Sequence, residues 1–201
     1  GVAAEIAVAW LRSCRLDGMM TTPSLASIQV GVPRSLGLPD AVDPFDGPWT
    51  SGIFKHAVIG PVAIPRTYVS GDGQADEVNH GGTDKAICAY PADHYAYWQP
   101  RPGLEGMTHG AFGENFTIRG LTETGICIGD TWTIGDLVVQ VSQPRQPCWK
   151  LARKWRIKTF ADEVIASGRT GWYFRVLREV TVQAGDACAL VERPHPEWTV
   201  A

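Results

Sequence analysis

The sequence has no apolar run near the roughly 18 residues that a bilayer-spanning helix needs, so no membrane partner is expected. Charge is sparse: 18 Lys and Arg against 21 Asp and Glu leave a net charge of −3 over 201 residues. A general nucleic-acid binder is normally markedly basic, and that class is set aside. There is no GxSxG elbow, no P-loop, no HExxH and no complete GxGxxG, which removes the commoner hydrolase, nucleotide-binding and zinc-protease signatures. The cysteines, Cys14, Cys88, Cys127, Cys148 and Cys188, include no CxxC, and the histidines show no pair at ligand spacing. A zinc site is not expected. An odd, irregular set of thiols points to a reducing compartment, here the cytoplasm.

The chain does have enough apolar residues, 44%, for one domain with its own core. Gly 22 and Pro 14 point to many turns and short strands. Residues 1–19 are expected to be an extra segment, upstream-derived sequence or a short added helix, because Arg12 and Arg15 follow its apolar stretch where a signal peptide would place them first. The domain is expected over 20–193, with 194–201 as a tail. Residues 25–31 and 85–90 read as strands, 32–48 as a proline-rich surface loop, and 51–69 as two extended pieces around a hairpin-like Gly60-Pro61. Residues 71–84 form a polar loop of a kind that is more often functional than idle. A helix opens at Pro91. Strands alternate with Gly-Asp turns over 126–144, and a similar turn and strand recur before the tail. From Cys148 to Ser167 the apolar spacing turns helical until Gly168 stops it.

Four places could carry chemistry. Cys148, in Ser142-Gln-Pro-Arg-Gln-Pro-Cys-Trp-Lys150, sits where a helix begins, and the helix dipole with Arg145 and Lys150 favours a thiolate. Cys88, Cys127 and Cys188 lie between apolar neighbours and read as buried, inert thiols. Around His80, the adjacent Gly81 and Gly82 offer backbone N–H groups to an anion, or simply make a tight turn. Gly113-Glu114-Asn115 is either a capping turn or a carboxylate and amide beside a polar ligand. Lys55, in Ser51-Gly-Ile-Phe-Lys55, is either solvated or turned toward an anion. Six basic residues between Arg145 and Lys158 make an ordinary solvated face, of which a phosphate-bearing cofactor would use two or three.

Taken in order, SIQVGxPR, SGIxK, DxxxHGGxDKAxxxYP, GAFGENF, the Gly-Asp turn and SQPRQPCxK resemble the MOSC domain family, in particular its YiiM-like branch. The resemblance runs from about Ser27 to Cys148 and more loosely through Gly171-Trp172-Tyr173 to Asp186. It implies a mostly β (α+β) fold, a MOSC-type β-barrel with a small C-terminal helical element at about 149–178. It also implies that Cys148 ligates the metal of a pterin-based molybdenum cofactor. Arg145 and the Gly81-Gly82 backbone then become phosphate anchors, Lys55, His80, Lys85, Glu114 and Asn115 pocket residues, and Glu114 or His80 the proton source.

The activity so implied is reduction of N-hydroxylated bases or related small molecules. With no iron–sulfur, flavin or nicotinamide motif in the sequence, the electrons are expected from a separate reductase. Three other readings stay open. One is a cofactor or sulfur carrier without turnover, as in sulfurase relatives. Pyridoxal phosphate is sometimes associated with those, but no site for it is visible here. Another is a Cys-His hydrolase pairing Cys148 with His80 or His109, for which no third orienting group is evident. The last is an interaction module. The eight tryptophans are expected in the core, with a homodimer contact as the alternative use.

Overall fold

A computed structural model describes residues 22–201, so the segment expected over 1–19, with Cys14, lies outside the described residues. Strand β1 (Ser24–Val30) is followed by β2 (Arg34–Leu36), β3 (Trp49–Ser51), β4 (His56–Ala57) and β5 (Val62–Ile64). Helix α1 (Glu77–His80), β6 (Ile87–Pro91), helix α2 (Tyr95–Trp98) and β7 (Phe116–Arg119) come next. Strands β8 (Thr131–Ile134) and β9 (Leu137–Pro144) precede helices α3 (Trp149–Trp155) and α4 (Phe160–Ala166). The chain finishes with β10 (Trp172–Arg178), β11 (Val180–Val182) and β12 (Cys188–Glu192).

The fold is mostly β with a few short helices. One eight-stranded sheet runs β12-β8-β9-β10-β6-β7-β1-β4, antiparallel throughout except for β6 beside β7. Alternation sets the faces: Leu137, Val139 and Val141 of β9 are buried while Val138 and Gln140 are less so, as a period-2 strand over a core requires. The main core gathers Leu25, Ile28, Phe116, Trp132, Trp172 and Phe174 inside the curl of this sheet. Among the described residues no ladder closes it into the expected barrel. The start of β1 approaches the chain entering the edge strand β12 through one bridge, Ser24 to Ala187, and backbone hydrogen bonds such as Leu25 N to Asp186 O at 2.9 Å.

Several local readings change. The 32–48 loop contains β2, which pairs with β3. The two pieces around Gly60 do not pair with each other: β4 joins β1 and β5 joins β11. Helicity after Cys148 is broken at Arg156, whose φ of 59° is left-handed, and ends at Ala166, because 172–178 are β10 of the sheet. Residues 194–201 are no loose tail. Val200 is buried in the core, and its N–H donates to the Ile126 carbonyl at 3.0 Å.

Two long connections build a second core. Parallel strands need a crossover, and the one from β6 to β7 carries α2 and Phe112. The other runs from β9 to β10 and carries Cys148, α3 and α4. They pack together through Tyr90, Tyr95, Trp98, Phe112, Leu151 and Phe160. Tyr90 stacks on Phe112 with centroids 4.0 Å apart, and Trp98 donates its indole N–H to the Tyr90 hydroxyl at 2.8 Å.

Gly171 closes the second connection. Its φ is +77°, and a Cβ there would lie 2.3 Å from the Ala89 carbonyl oxygen. Its own carbonyl accepts the Arg145 N–H at 3.0 Å, and its N–H donates to Glu123 at 2.7 Å. Gly171→Ala should therefore cost about 2 kcal/mol or more, read as a lower urea midpoint. An unchanged midpoint would contradict this placement.

Candidate functional site

Where the two connections meet β3 and the polar loop, a narrow cavity of about 70 Å³ opens beside a broad bowl of about 740 Å³. Five residues line both: His80, Gln146, Cys148, Lys150 and Tyr173. Cys148 thus stands at the junction. The prolines at 144 and 147 hold the chain extended as it leaves the sheet. Cys148 keeps an extended backbone (φ −114°, ψ 166°) as the N-cap of α3, and its sulfur makes no capping hydrogen bond. The Leu151 N–H instead closes the first turn on the Cys148 carbonyl at 3.0 Å, so the thiol is left to the cleft.

The other described thiols are locked in. Burial pushes Cys88 up to about 11 and Cys188 up to about 12, and raises Cys127 as well, as the apolar neighbours predict. Cys88 reaches the inner cavity, but as a neutral thiol in its wall.

Among the described residues no carboxylate lines the inner cavity. Arg145 is 8% exposed and donates to the carbonyls of Phe112 at 2.5 Å and Thr170 at 3.4 Å. Among the described residues it has no carboxylate partner. A buried cation compensated by neutral dipoles, two carbonyls and the neighbouring Tyr173 hydroxyl, favours an incoming anion. His80 is half-buried at the end of α1, and its basicity is lowered by burial and then by Lys150. Lys85 lines the outer bowl and donates to the Asn79 carbonyl at 2.5 Å.

The remaining candidates stand in or behind the walls. Lys55 forms a buried ion pair with Asp72 at 2.5 Å, their side chains 3% and 4% exposed. Asp72 also accepts from the Gly31 N–H at 2.8 Å and from the Asn115 amide at 2.8 Å. Asn115 is consumed further: its amide oxygen accepts the Cys88 N–H at 3.1 Å. Glu114, fully buried, accepts from the Tyr95 hydroxyl at 2.5 Å, Gly110 N–H at 2.7 Å, Thr117 hydroxyl at 2.9 Å and Phe112 N–H at 3.1 Å. It lines neither cavity. The Gly81 N–H donates to the Glu77 carbonyl at 3.0 Å, so this donor closes α1 rather than facing an anion. Gly82 supplies a φ of +95° for the turn that follows. His109 pairs with the Ser27 hydroxyl at 2.6 Å, away from the cysteine cleft.

Asp72, Tyr173 and Gln146 were not singled out from sequence. The signal for Asp72 is local, an acid between Gly71 and Gly73 in the polar loop. Tyr173 lies in an apolar strand and gives no such signal.

Comparison with known proteins shows the family. A model of the MOSC domain matches residues 76–189. The chain is 45% identical to the Bacillus subtilis protein YflK, described as uncharacterized, over 85% of this chain and 74% of that one. It is 38% identical to YiiM of Escherichia coli over 71% of this chain and 65% of that one. It is also 39% identical to a protein of Gibberella moniliformis named "Reductase", over 77% of this chain but only 28% of that longer one. The crystal structure of YiiM from Geobacillus stearothermophilus superposes with a TM-score of 0.69 at 39% identity, covering 89% of this chain and 80% of that one.

Breaking the Lys55–Asp72 pair should be costly. Asp72→Ala leaves a buried ammonium alone and should destabilise by about 3–5 kcal/mol in chemical denaturation. Replacing both residues with apolar ones of similar volume should cost less than this single change. The reverse order would show that the pair is not what holds these loops.

Proposed function

Because the chain belongs to the MOSC family, in its YiiM-like branch, we propose that it holds a pterin-based molybdenum cofactor through Cys148 and reduces N-hydroxylated small molecules. Purine-type N-hydroxylated bases are one such class. The observation that carries this reading is the free Cys148 sulfur at the mouth of a cavity that no described carboxylate lines, beside the buried guanidinium of Arg145, which has no carboxylate partner among the described residues.

The residues fit such a group. Among the described residues no cluster of three or more His, Cys, Asp or Glu could hold a bare metal ion. A metal bound through one thiolate must then bring its other donors with it, as a dithiolene does, and a soft thiolate suits molybdenum. When bound, the cofactor supplies the two-electron redox change. Arg145 and Lys150 neutralise its anionic phosphate, and Lys55, held by Asp72, keeps the wall of the cavity in place. Conversion of N–OH to N–H consumes two electrons and two protons and releases water, with the electrons coming from a separate reductase. His80 is the proton donor that the site offers. Glu114 is committed to four internal donors and serves the loop instead. The half-exposed Trp149, beside Cys148 in the outer bowl, offers a flat face to planar substrates. The fungal relative's name fits a redox role.

Protein made in a cofactor-competent host should contain molybdenum, and Cys148→Ser should lose most of it while keeping its thermal midpoint. Equal molybdenum in both would remove Cys148 as the ligand. Steady turnover of a hydroxylamine with a reduced dye separates an enzyme from a carrier, which would give none.

His80 must be protonated to donate. Its basicity is lowered by burial and then by Lys150, so the rate should be highest in acid and fall as pH rises through a value below the usual imidazole range. His80→Gln should abolish that limb. An identical limb in the variant would assign the proton elsewhere.

A further inference from the structure

A second cavity, of about 350 Å³, lies across the Phe54–Lys55 segment from the cysteine cleft and plays no part in the proposed reaction. Its lining includes Arg34, Lys55, His56, His109 and Lys154 and, among the described residues, no carboxylate. Lys55 is neutralised by Asp72, but among the described residues Arg34, His56, His109 and Lys154 have no acidic partner within salt-bridge distance.

Two of these cations crowd one ring. The Arg34 guanidinium carbon is 4.3 Å from the Phe54 centroid and the Lys154 ammonium 5.6 Å from it. Lys154 rests on the carbonyls of Ile53 at 3.1 Å and Gly110 at 2.8 Å, and burial lowers its basicity to about 8. Like charges gathered at a concave, carboxylate-free surface repel one another until an anion enters. Donors arrive from β2, the segment after β3, the loop before Glu114 and α3. That gathering of cations suits a phosphoryl dianion, with three terminal acceptor oxygens and nearly two charges, better than a carboxylate with two oxygens and one charge.

We infer that this cavity is a binding site for a phosphoryl group, free or esterified, anchored by Arg34 and Lys154 with His109 at its edge. The inference stands apart from the molybdenum reading, since its anchors, Arg34, Lys154 and His109, line neither cavity at Cys148.

The test titrates inorganic phosphate, glycerol phosphate and acetate into the full-length protein at constant ionic strength, following the histidine ring resonances by NMR. His56 and His109 report this cavity, and His80 the cysteine cleft. Saturable shifts of His109 by inorganic phosphate are expected, with acetate binding about tenfold more weakly. Glycerol phosphate binding as tightly as inorganic phosphate would indicate that an esterified ligand fits, and tighter binding of inorganic phosphate that the free ion is preferred. Arg34→Gln, at an exposed position, should weaken phosphate by about tenfold, the loss of one charge-assisted contact. Lys154→Met should do the same, but it also releases two loops, so Arg34→Gln is the decisive variant. No saturable shift, a shift confined to His80, equal affinity for acetate, or full affinity in Arg34→Gln would each overturn the site.

Discussion

The carboxylate of Asp72 holds the cleft together. It accepts hydrogens from the Gly31 N–H just past β1, from the Lys55 ammonium and from the Asn115 amide, and so ties the polar loop to the chain flanking three neighbouring strands, β1, β4 and β7. Glu114 repeats the device one residue before Asn115, gathering the Gly110–Phe112 turn and Tyr95. Buried charges of this kind persist only when every lone pair is used. Loops that must present a cofactor-sized cavity thus acquire the rigidity of a core without apolar filling.

That economy explains the division of labour around Cys148. Residues with acceptor oxygens are spent on internal donors, leaving an inner cavity lined by cations, amides and one outward thiol. Arg145 belongs to both systems: its main chain and guanidinium bind carbonyls on the two connections, while its charge has no protein counter-ion among the described residues. The same sequence stretch that fixes the architecture also sets the electrostatics of the cleft.

Much of this was legible beforehand. Apolar alternation and Gly-Asp turns locate β8, β9 and β12, and the contrast between Cys148 and the apolar flanks of Cys88 and Cys188 separates the thiol that lines both cavities from the buried ones. What local pattern does not carry is pairing over distance. β4 and β5 look like partners across Gly60, yet each is claimed by a strand far away in sequence. Open closure at Ser24 and Ala187 is likewise a matter of sheet curl. Glu114 and Asn115 illustrate the limit for sites: a carboxylate and an amide beside a glycine turn look equally suited to a ligand or to a cap, and only the fold shows Glu114 bonded within its turn and Asn115 bonded to strand backbone and to Asp72. Asp72 went unnoticed because its importance lies entirely in which groups fold onto it.

The account rests on a direct bond between the side chain at 148 and the metal. Replacing that cysteine with selenocysteine in otherwise unaltered protein, loaded in a cofactor-competent host, and recording selenium X-ray absorption tests it most directly. A molybdenum neighbour in the selenium coordination shell is the predicted result. A loaded protein whose selenium sees only its own carbon would contradict it.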